Sequence, residues 1–432
     1  MRIVHFLSRS VLMAIAQIPL WSSLRSAPTN PLPKNAFRTF KVKYNSNNID
    51  LPFMAKVSVL KTSPKTVVED YGRLLHLLRY EKSVPKENKT IIKLNLSWTL
   101  YYPACSTEPW QLDGLLKTLR DDGYKELTAV ENQTVVTHPW KGAHGNKWLP
   151  VLKKYSVPFK PLTDVKWVSY TPKKELMVMQ DLFKGKDRGI LVPKMFFDTN
   201  IVHLPTMKTH GHTVMTGAMK NAFGGLIPKY RHHAHKMIHE VLVDLLSIQK
   251  EVHKGIISVT DGTVCGNGAG PRTMMPHIGN LILASDDQVA IDAICAKLMG
   301  FDPMKIRFIK LAHDKGLGIG DVDQIEILGM NMKDFRRTNF HFKTEKSLVI
   351  TWDQRLRKGT ANLGLLHDLL FHSAFFKLFI FASETYHDRF WYPFIGKRRI
   401  DAFLKTPWGR LFERYPQGPM PKYAEVKQWD PY

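Results

Sequence analysis

Cysteine is scarce in this chain of 432 residues, with three thiols at Cys105, Cys265 and Cys295 that lie far apart. Three separated cysteines cannot form a disulfide framework, and they cannot hold a four-cysteine iron–sulfur cluster unaided. We therefore expect the protein to reside in a reducing compartment, with the cytoplasm as the preferred assignment. We also expect no self-contained iron–sulfur cluster. The sequence identifies no other cofactor, so the cofactor stays unknown.

Acidic residues are also few, 38 against 62 lysines and arginines, which gives a formal net charge of +24. Such a charge favours acidic partners: nucleic acid, an anionic membrane surface or an anionic small molecule. Nucleic acid is the least supported, because zinc-finger spacing, an aromatic RNA-binding signature and an arginine-rich recognition helix are all missing. The expected partners are therefore an anionic small molecule and an anionic membrane surface.

The first 49 residues contain no acidic residue, and their apolar patch at 11–21 is too short to span a bilayer. A signal peptide, an organelle transit peptide and a retained interfacial anchor all fit this pattern. We favour the retained anchor and treat residues 1–49 as a basic anchor or targeting segment.

A long uninterrupted apolar run is missing near the other end. The stretch 365–382 (LLHDLLFHSAFFKLFIFA) is strongly apolar, but it carries Asp368 and Lys377, which a spanning helix would bury at high cost. Aromatic and basic residues follow it. We expect residues 336–432 to form a basic, aromatic helical extension that lies on an anionic membrane, which makes the protein peripherally membrane-associated. The alternatives are a helix docked on a partner and a helical hairpin that covers the main domain.

Between these ends, strand and helix patterns alternate. The predicted strands are 89–96, 126–131, 201–204, 255–260, 280–284 and 325–328, and the predicted helices are 109–122, 235–253 and 288–299. This order predicts an α/β fold, a mostly parallel sheet flanked by helices, in a core domain at residues 50–335. Residues 140–192 read as an irregular insertion.

The segment 201–225, IVHLPTMKTHGHTVMTGAMKNAFGG, concentrates reactive side chains, namely Lys208, His210, His212, Lys220 and Asn221. Pro205 ends the predicted strand, and the apolar residues from Val214 to Met219 recur at helical spacing. Ligands in open α/β sheets collect outside the carboxyl ends of strands, where lysines supply positive charge and histidines supply protons or metal ligands. We interpret the segment as a site for an anion or a metal; solvated lysines and structural histidines are the alternative.

Other strand ends carry polar residues too. Lys93 and Asn95 end the first predicted strand, and Asp261 ends the strand at 255–260. The run DGTVCGNGAGP at 261–271 then predicts a flexible loop in which Gly266 and Gly268 let the backbone approach a ligand closely. A tight structural turn explains the glycines equally well.

Acidic and histidine residues further along are additional candidates. In ASDDQVAID we expect Asp286 to cap the following helix, and we assign Asp287 and Asp292 to the site. In RHHAHKMIH, His235 and His239 would lie one helical turn apart and could bind one metal ion. A basic, partly exposed helix start is the alternative.

Several motifs together resemble one known family. KLNLS, HLPTMKTH, TGAMKNAFGG, the DG turn before GNGAGP, ASDDQVAID and MGFDP occur in the order typical of the family called domain of unknown function (DUF) 362, over roughly residues 55–330. The resemblance implies an α/β domain with family-typical polar positions at Lys93, Asn95, Lys208, His210, Lys220, Asn221, Asp261, Gly268, Asp287 and Asp292. Many relatives carry ferredoxin-like cysteine clusters and are suspected redox proteins, whereas this chain has no such cluster.

We interpret the chain as an enzyme, oxidoreductase-like or acid–base, that acts on an anionic, membrane-delivered small molecule. His210, Lys208 and Asp261 would be catalytic, and the substrate would be bound by Lys93, Asn95, Lys220, Asn221, Gly266, Gly268, Asp287 and Asp292. A redox reaction would need a separate redox partner. The alternatives are a noncatalytic, membrane-associated binding or assembly protein, and a histidine-based metal-binding protein.

Overall fold

A computed structural model of the protein describes residues 54–134, 137–184, 189–227, 231–360, 362–371 and 376–421. The predicted anchor at 1–49 lies outside these residues. Within the described ranges, no helix is both long enough and apolar enough to cross a membrane.

The strands, in chain order, are β1 Ala55–Lys61, β2 Thr90–Lys93, β3 Leu127–Glu131, β4 Phe159–Pro161, β5 Trp167–Ser169, β6 Leu191–Pro193, β7 Asn200–His203, β8 Thr206–His210, β9 Val214–Thr216, β10 Gly255–Ala269, β11 Thr273–Ser285 and β12 Ile325–Leu328. The α-helices up to residue 299 are α1 Val67–Leu78, α2 Pro109–Asp121, α3 Pro139–Gly145, α4 Trp148–Lys154, α5 Met179–Leu182, α6 Ala218–Asn221, α7 Phe223–Leu226, α8 Ile238–Val252 and α9 Gln288–Met299. The later helices are α10 Arg307–Asp314, α11 Met332–Arg337, α12 Leu348–Thr360, α13 Gly364–Phe371, α14 Phe376–Glu384, a π-helix Thr385–Gly396, α15 Lys397–Leu404 and α16 Pro407–Arg414.

The main sheet has the strand order β12-β1-β11-β10-β7-β2-β3-β4. Neighbouring strands run parallel except at the two junctions that involve β11, which is antiparallel to both β1 and β10. The predicted α/β class with a mostly parallel sheet is confirmed. Because β2, β3, β7 and β10 are parallel neighbours, their carboxyl ends meet at one edge of the sheet.

Helices cover both faces of the sheet, so its central strands are apolar on both sides. Ile92 and Val202 pack in the layer that contains α1 and α2. Ile91 and Ile201 point the other way, into the layer that contains α8 and α9. This alternation decides which face each polar residue at a strand end can reach.

The glycine-rich run after Asp261 is not a flexible loop. It continues β10, which pairs with β11 from Ser258 to Ala269 as a long antiparallel hairpin. Likewise, residues 206–216 form the β8–β9 hairpin where we predicted the start of a helix, and α6 begins at Ala218. Strand pairing outweighs local spacing in both places, because each segment finds a hydrogen-bonding partner strand.

The predicted insertion at 140–192 is more regular than expected. It contains short helices, and β4 extends the main sheet beyond β3, with Phe159 paired to Ala129. Strands β5 and β6 form a separate two-stranded sheet.

The C-terminal extension is helical, as predicted, but much of its aromatic part belongs to the core. Trp391, Phe403, Trp408 and Phe412 are buried. The Trp408 ring lies 5.2 Å from that of Trp110, and Phe412 stacks on Tyr101 with 3.9 Å between ring centroids. These aromatic residues pack on the rest of the fold, whereas apolar side chains nearer residue 365 remain exposed.

Candidate functional site

Polar side chains from several strand ends converge at the carboxyl edge of the sheet. Lys93 ends β2 and is paired in register with His203 at the end of β7. Strand β8 follows β7 after Leu204 and Pro205, and it carries Lys208 and His210 on the same side, because side chains two residues apart share a face. The fold thus brings together residues from three predicted motifs.

Lys93 is neutralised within the protein. Its ammonium group lies 2.8 and 2.9 Å from the two carboxylate oxygens of Glu131 at the end of β3, and 2.6 Å from the Leu94 carbonyl oxygen. Both side chains are almost fully buried. A buried ion pair of this kind positions the ends of two strands and leaves Lys93 little capacity to bind a ligand directly.

Lys208 is fully buried and has an acceptor for each ammonium proton. Its Nζ donates to Asn95 Oδ1 at 2.6 Å, Thr206 Oγ1 at 2.6 Å and the Cys105 carbonyl oxygen at 2.9 Å. All three acceptors are uncharged, and burial lowers the pKa of Lys208 to about 7. Lys208 therefore changes protonation near neutral pH.

A chain of amides connects these lysines to α8. Asn95 Nδ2 donates to Asn221 Oδ1 at 3.3 Å, and Asn221 Nδ2 donates to the Lys93 carbonyl oxygen at 3.1 Å and lies 3.3 Å from His203 Nδ1. His203 Nε2 lies 2.6 Å from Gln249 Oε1. Burial lowers the pKa of His203 to about 3, so its ring is neutral in this network.

Lys220, on α6, is the exception among the three candidate lysines. It is partly buried, and no described residue accepts a hydrogen bond from its ammonium group or forms an ion pair with it. The group lies 5.4 Å from the centroid of the Phe223 ring. Removal from water lowers the pKa of Lys220 to about 8, so the amine is still mostly charged at pH 7.

Aromatic rings continue from Phe223 into an array of histidines. The centroid of His235 lies 6.0 Å from Phe223 and 5.2 Å from His212, which in turn lies 5.8 Å from His210. Burial and the neighbouring charge of Lys220 hold the pKa of His210 well below its ordinary value. His210 Nδ1 accepts a hydrogen bond from the His212 amide at 3.1 Å, which places the proton of the neutral ring on Nε2.

Asp292 supports α6 rather than contacting the lysines. Its two oxygens accept hydrogen bonds from the Ala218 amide at 2.6 Å and the Met219 amide at 3.1 Å. The carboxylate is buried, and burial raises its pKa to about 7. A side chain at Gly217 would collide with this carboxylate. Asp292 and Gly217 therefore set the position of the helix that carries Lys220.

Asp261 packs against α1 and α2, through Tyr71 and Trp110. Its carboxylate accepts hydrogen bonds from Tyr71 at 2.7 Å and Trp110 at 3.1 Å, and from the Thr263 amide and hydroxyl at 3.0 and 2.7 Å. No described hydrogen bond joins it to Lys208 or His210. The structure gives Asp261 the surroundings of a structural carboxylate.

The two candidate glycines, Gly266 and Gly268, lie within β10 and beside β8. Gly266 is paired with Lys208 across β10 and β8, and a Cβ atom there would lie 3.0 Å from Lys208 Cβ and would overlap Met274. Gly268 has a φ of +99°, the left-handed region that favours glycine. The absence of side chains lets β8 and β10 approach each other, which differs from the phosphate-cradling role we predicted.

The N-cap of α9 is the residue next to the one we predicted. Asp287, not Asp286, is the N-cap of α9, and accepts hydrogen bonds from the Val289 and Ala290 amides at 2.9 Å. Its second oxygen accepts from the Ile319 amide at 2.9 Å. Asp286 instead accepts a hydrogen bond from Ser83. With both oxygens occupied, Asp287 holds a turn and a helix start in place.

The two histidines of the proposed metal pair point to different neighbours. Helix α8 begins at Ile238, so His235 lies in the preceding 3₁₀ turn and the two rings do not share a helical face. The His239 ring stacks on Phe308. In the described part of the chain, three ligand atoms within 4.8 Å of one another occur at His76, Glu81 and Asp122, which lie elsewhere on the surface.

Sequence reasoning missed Glu131, His203 and Glu108. Glu131 ends a predicted strand and His203 is the last residue but one of another, and that position was the signal available for both. Glu108 is buried at the start of α2; its Oε1 accepts from the Ala104 amide at 3.2 Å, and its Oε2 has no partner among the described residues. Burial, followed by the charge of Asp261, raises the pKa of Glu108 well above its ordinary value.

Comparison with known proteins gives a family and a distant relative. Residues 90–297 match the family described as Domain of unknown function (DUF362). The thylakoid-associated protein sll1697 of Synechocystis sp. is 28% identical over 120 residues, which are 27% of this chain and 37% of that protein. The alignment thus covers well under two thirds of that relative. No solved structure matches the chain.

Proposed function

We propose that this chain, which belongs to the DUF362 family over residues 90–297, is an enzyme that acts on an anionic small molecule at the carboxyl edge of its sheet. The family description names no activity, so the proposal rests on the site. The observation that carries it is the amine of Lys220, a partly desolvated cation with no acceptor among the described residues. A charge withdrawn from water is costly unless it is paired, and an anionic ligand would supply the missing partner.

The neighbours of Lys220 suit chemistry on such a ligand. Lys208 adds positive charge and changes protonation near pH 7. The neutral ring of His210 offers its Nε2 proton as a hydrogen-bond donor, because Nδ1 is already an acceptor. In this proposal Lys220 binds a carboxylate or phosphate, His210 stabilises negative charge that develops on an oxygen, and Lys208 carries the proton. Asp261 has no part in it.

Native mass spectrometry of gently purified protein tests the anion site. We expect a small ligand to co-purify with the wild-type chain and to be lost from Lys220→Met. The matched control is Lys297→Met, which removes an exposed lysine from α9 and should leave occupancy unchanged. Equal occupancy in all three proteins, with folding intact by circular dichroism, would remove the site.

We also propose that the C-terminal extension attaches the protein to an anionic membrane surface. Exposed apolar side chains follow one another along α13, α14 and the π-helix, with exposed fractions of 89% for Leu365, 61% for Leu378, 57% for Phe381 and 60% for Phe394. Exposed Arg389 lies in the π-helix, and exposed Lys397 and Arg398 begin α15 directly after it. Apolar side chains beside basic ones favour an anionic lipid interface, and the name of the Synechocystis relative agrees with membrane association.

Sedimentation with lipid vesicles tests this attachment. The wild-type chain should bind phosphatidylcholine vesicles that contain phosphatidylglycerol, and Leu378→Glu/Phe381→Glu should weaken binding by about tenfold or more, since two apolar contacts are replaced by like-charged groups. The control Leu77→Glu/Met332→Glu changes two equally apolar, exposed positions elsewhere. The attachment is refuted if both double variants lose binding equally or if the wild type never sediments.

A further inference from the structure

A groove of about 670 Å³ lies at the edge of the main sheet, and Lys220 is not among the residues that line it. We call it the edge groove and define it by Trp140, Phe159, Lys160, Val165, Lys166 and Lys194. Its floor begins at β4, the last strand on this side of the sheet in the described chain. The turns before β5 and after β6 form its opposite wall.

The walls of the edge groove are held by contacts of their own. The Trp140 and Phe159 rings meet edge to face with 5.0 Å between centroids. The Lys194 amide donates to the Lys166 carbonyl oxygen at 2.8 Å, and Trp167 Nε1 donates to the Leu162 carbonyl oxygen at 2.8 Å. The groove is therefore a formed apolar depression, and it does not require a ligand to hold its walls together.

The charged residues around the edge groove are mostly basic. Lys160, Lys166 and Lys194 are all exposed, and none of them forms an ion pair with a described residue. Asp164 is the acidic residue among those that line the groove, and it accepts a hydrogen bond from Thr163 at 3.0 Å. Long lysine side chains can lie along apolar surface while their ammonium groups reach a ligand at the rim.

We propose that the edge groove is a second binding site, which takes a small amphiphilic anion: an aromatic or aliphatic body that bears a carboxylate, sulfonate or phosphate. The body would contact Trp140 and Phe159, and the three lysines would hold the anionic group. The volume lies in the range typical of small-molecule sites, which is roughly 300–1,000 Å³. Neither Lys220 nor the exposed apolar side chains of the C-terminal extension take part.

Equilibrium dialysis with naphthalene-2-sulfonate tests the site on the full-length protein. We expect Lys160→Glu/Lys166→Glu/Lys194→Glu to lower the affinity about tenfold or more, and Trp140→Ala to lower it by a similar factor. The neutral analogue 2-naphthalenemethanol should bind the wild type at least about tenfold more weakly. The matched control Lys86→Glu/Lys125→Glu/Lys153→Glu makes the same change in net charge at exposed positions outside the groove and should retain binding.

Three results would overturn the proposal. Equal loss in both triple variants would show attraction by overall charge only, equal affinity for the neutral analogue would show an apolar patch only, and no binding by the wild type would remove the site. Lys220→Met separates this site from the proposed enzyme site, because it should leave dialysis unchanged. If Trp140→Ala fails to fold, the lysine variants still decide the outcome.

Discussion

Lys93, Lys208 and Lys220 lie at one edge of the sheet, but they have different partners. Lys93 has a carboxylate, Lys208 has three neutral acceptors, and Lys220 has none among the described residues. A buried amine with satisfied donors contributes to structure, whereas an unsatisfied one is costly and is kept where a ligand needs it. This difference makes Lys220 the most informative position for mutation.

Replacing Lys220 with Met should stabilise the protein by about 1–2 kcal/mol below pH 8, after allowance for solvent screening. The pKa of Lys220 is about 8 in the folded protein, below the ordinary 10.5. Between these values the unfolded chain binds more protons, so wild-type stability rises with pH and the advantage of the variant shrinks. Urea unfolding at pH 6, 7, 9 and 10 measures this. Exposed Lys297→Met should stay within about 0.5 kcal/mol of wild type throughout, and a constant advantage for Lys220→Met would contradict the explanation.

Among the structural elements, the β8 strand depends on how closely the β10–β11 hairpin can approach it. Gly266 and Gly270 both leave room for β8: a Cβ atom at Gly270 would lie 2.6 Å from the Thr209 carbonyl carbon and would overlap its oxygen. Since backbone atoms cannot swing aside as a side chain can, the whole strand that carries Lys208 and His210 would have to move.

Gly270→Ala should therefore destabilise the protein by about 2–3 kcal/mol and reduce ligand occupancy in native mass spectrometry. Gly359→Ala is the matched control, because Gly359 lies in α12 with open space around its Cα, and alanine favours helix by about 1 kcal/mol. Thermal and urea unfolding compare the two variants. A neutral effect of Gly270→Ala would show that β8 and the hairpin are not held as closely as described.

Across the whole molecule, the C-terminal extension has two parts with different physical roles. Lys147 Nζ donates to the Phe412 and Tyr415 carbonyl oxygens at 2.8 Å, and Trp408 Nε1 donates to Asn280 Oδ1 at 2.7 Å. These contacts join α16 to the core domain. The stretch from α13 to the π-helix instead leaves apolar side chains in solvent, which supports the proposed membrane face.

Trp408→Ala should cost about 3–5 kcal/mol in the free energy of unfolding, because it leaves a cavity beside Trp110 and an unsatisfied Asn280. Phe394→Ala, at an exposed aromatic residue in the same extension, should change stability by less than about 0.5 kcal/mol. Urea unfolding of the full-length variants measures both. Similar small effects for the two would mean that the extension does not pack on the core in solution.

Much of this architecture follows from local patterns. The predicted helix at 288–299 and the predicted strand at 325–328 match the structure residue for residue, and the strand ends at Lys93 and His203 were placed at most three residues from their observed positions. Hydrophobic periodicity and capping act over a few residues, so they can be read along the chain. The family resemblance was readable for the same reason, since its motifs are local.

Only the tertiary structure decided which residues pair with one another and what surrounds each polar side chain. Nothing near Lys93 in sequence identifies Glu131 as its counter-ion, and nothing near Asp261 shows that its carboxylate is bound by Tyr71 and Trp110. Likewise, a glycine run whose local pattern resembled a loop forms part of the β10–β11 hairpin. Each of these outcomes is set by strand register and by layers packed from distant segments, because the pairing energy of a residue depends on neighbours that its own sequence window does not contain.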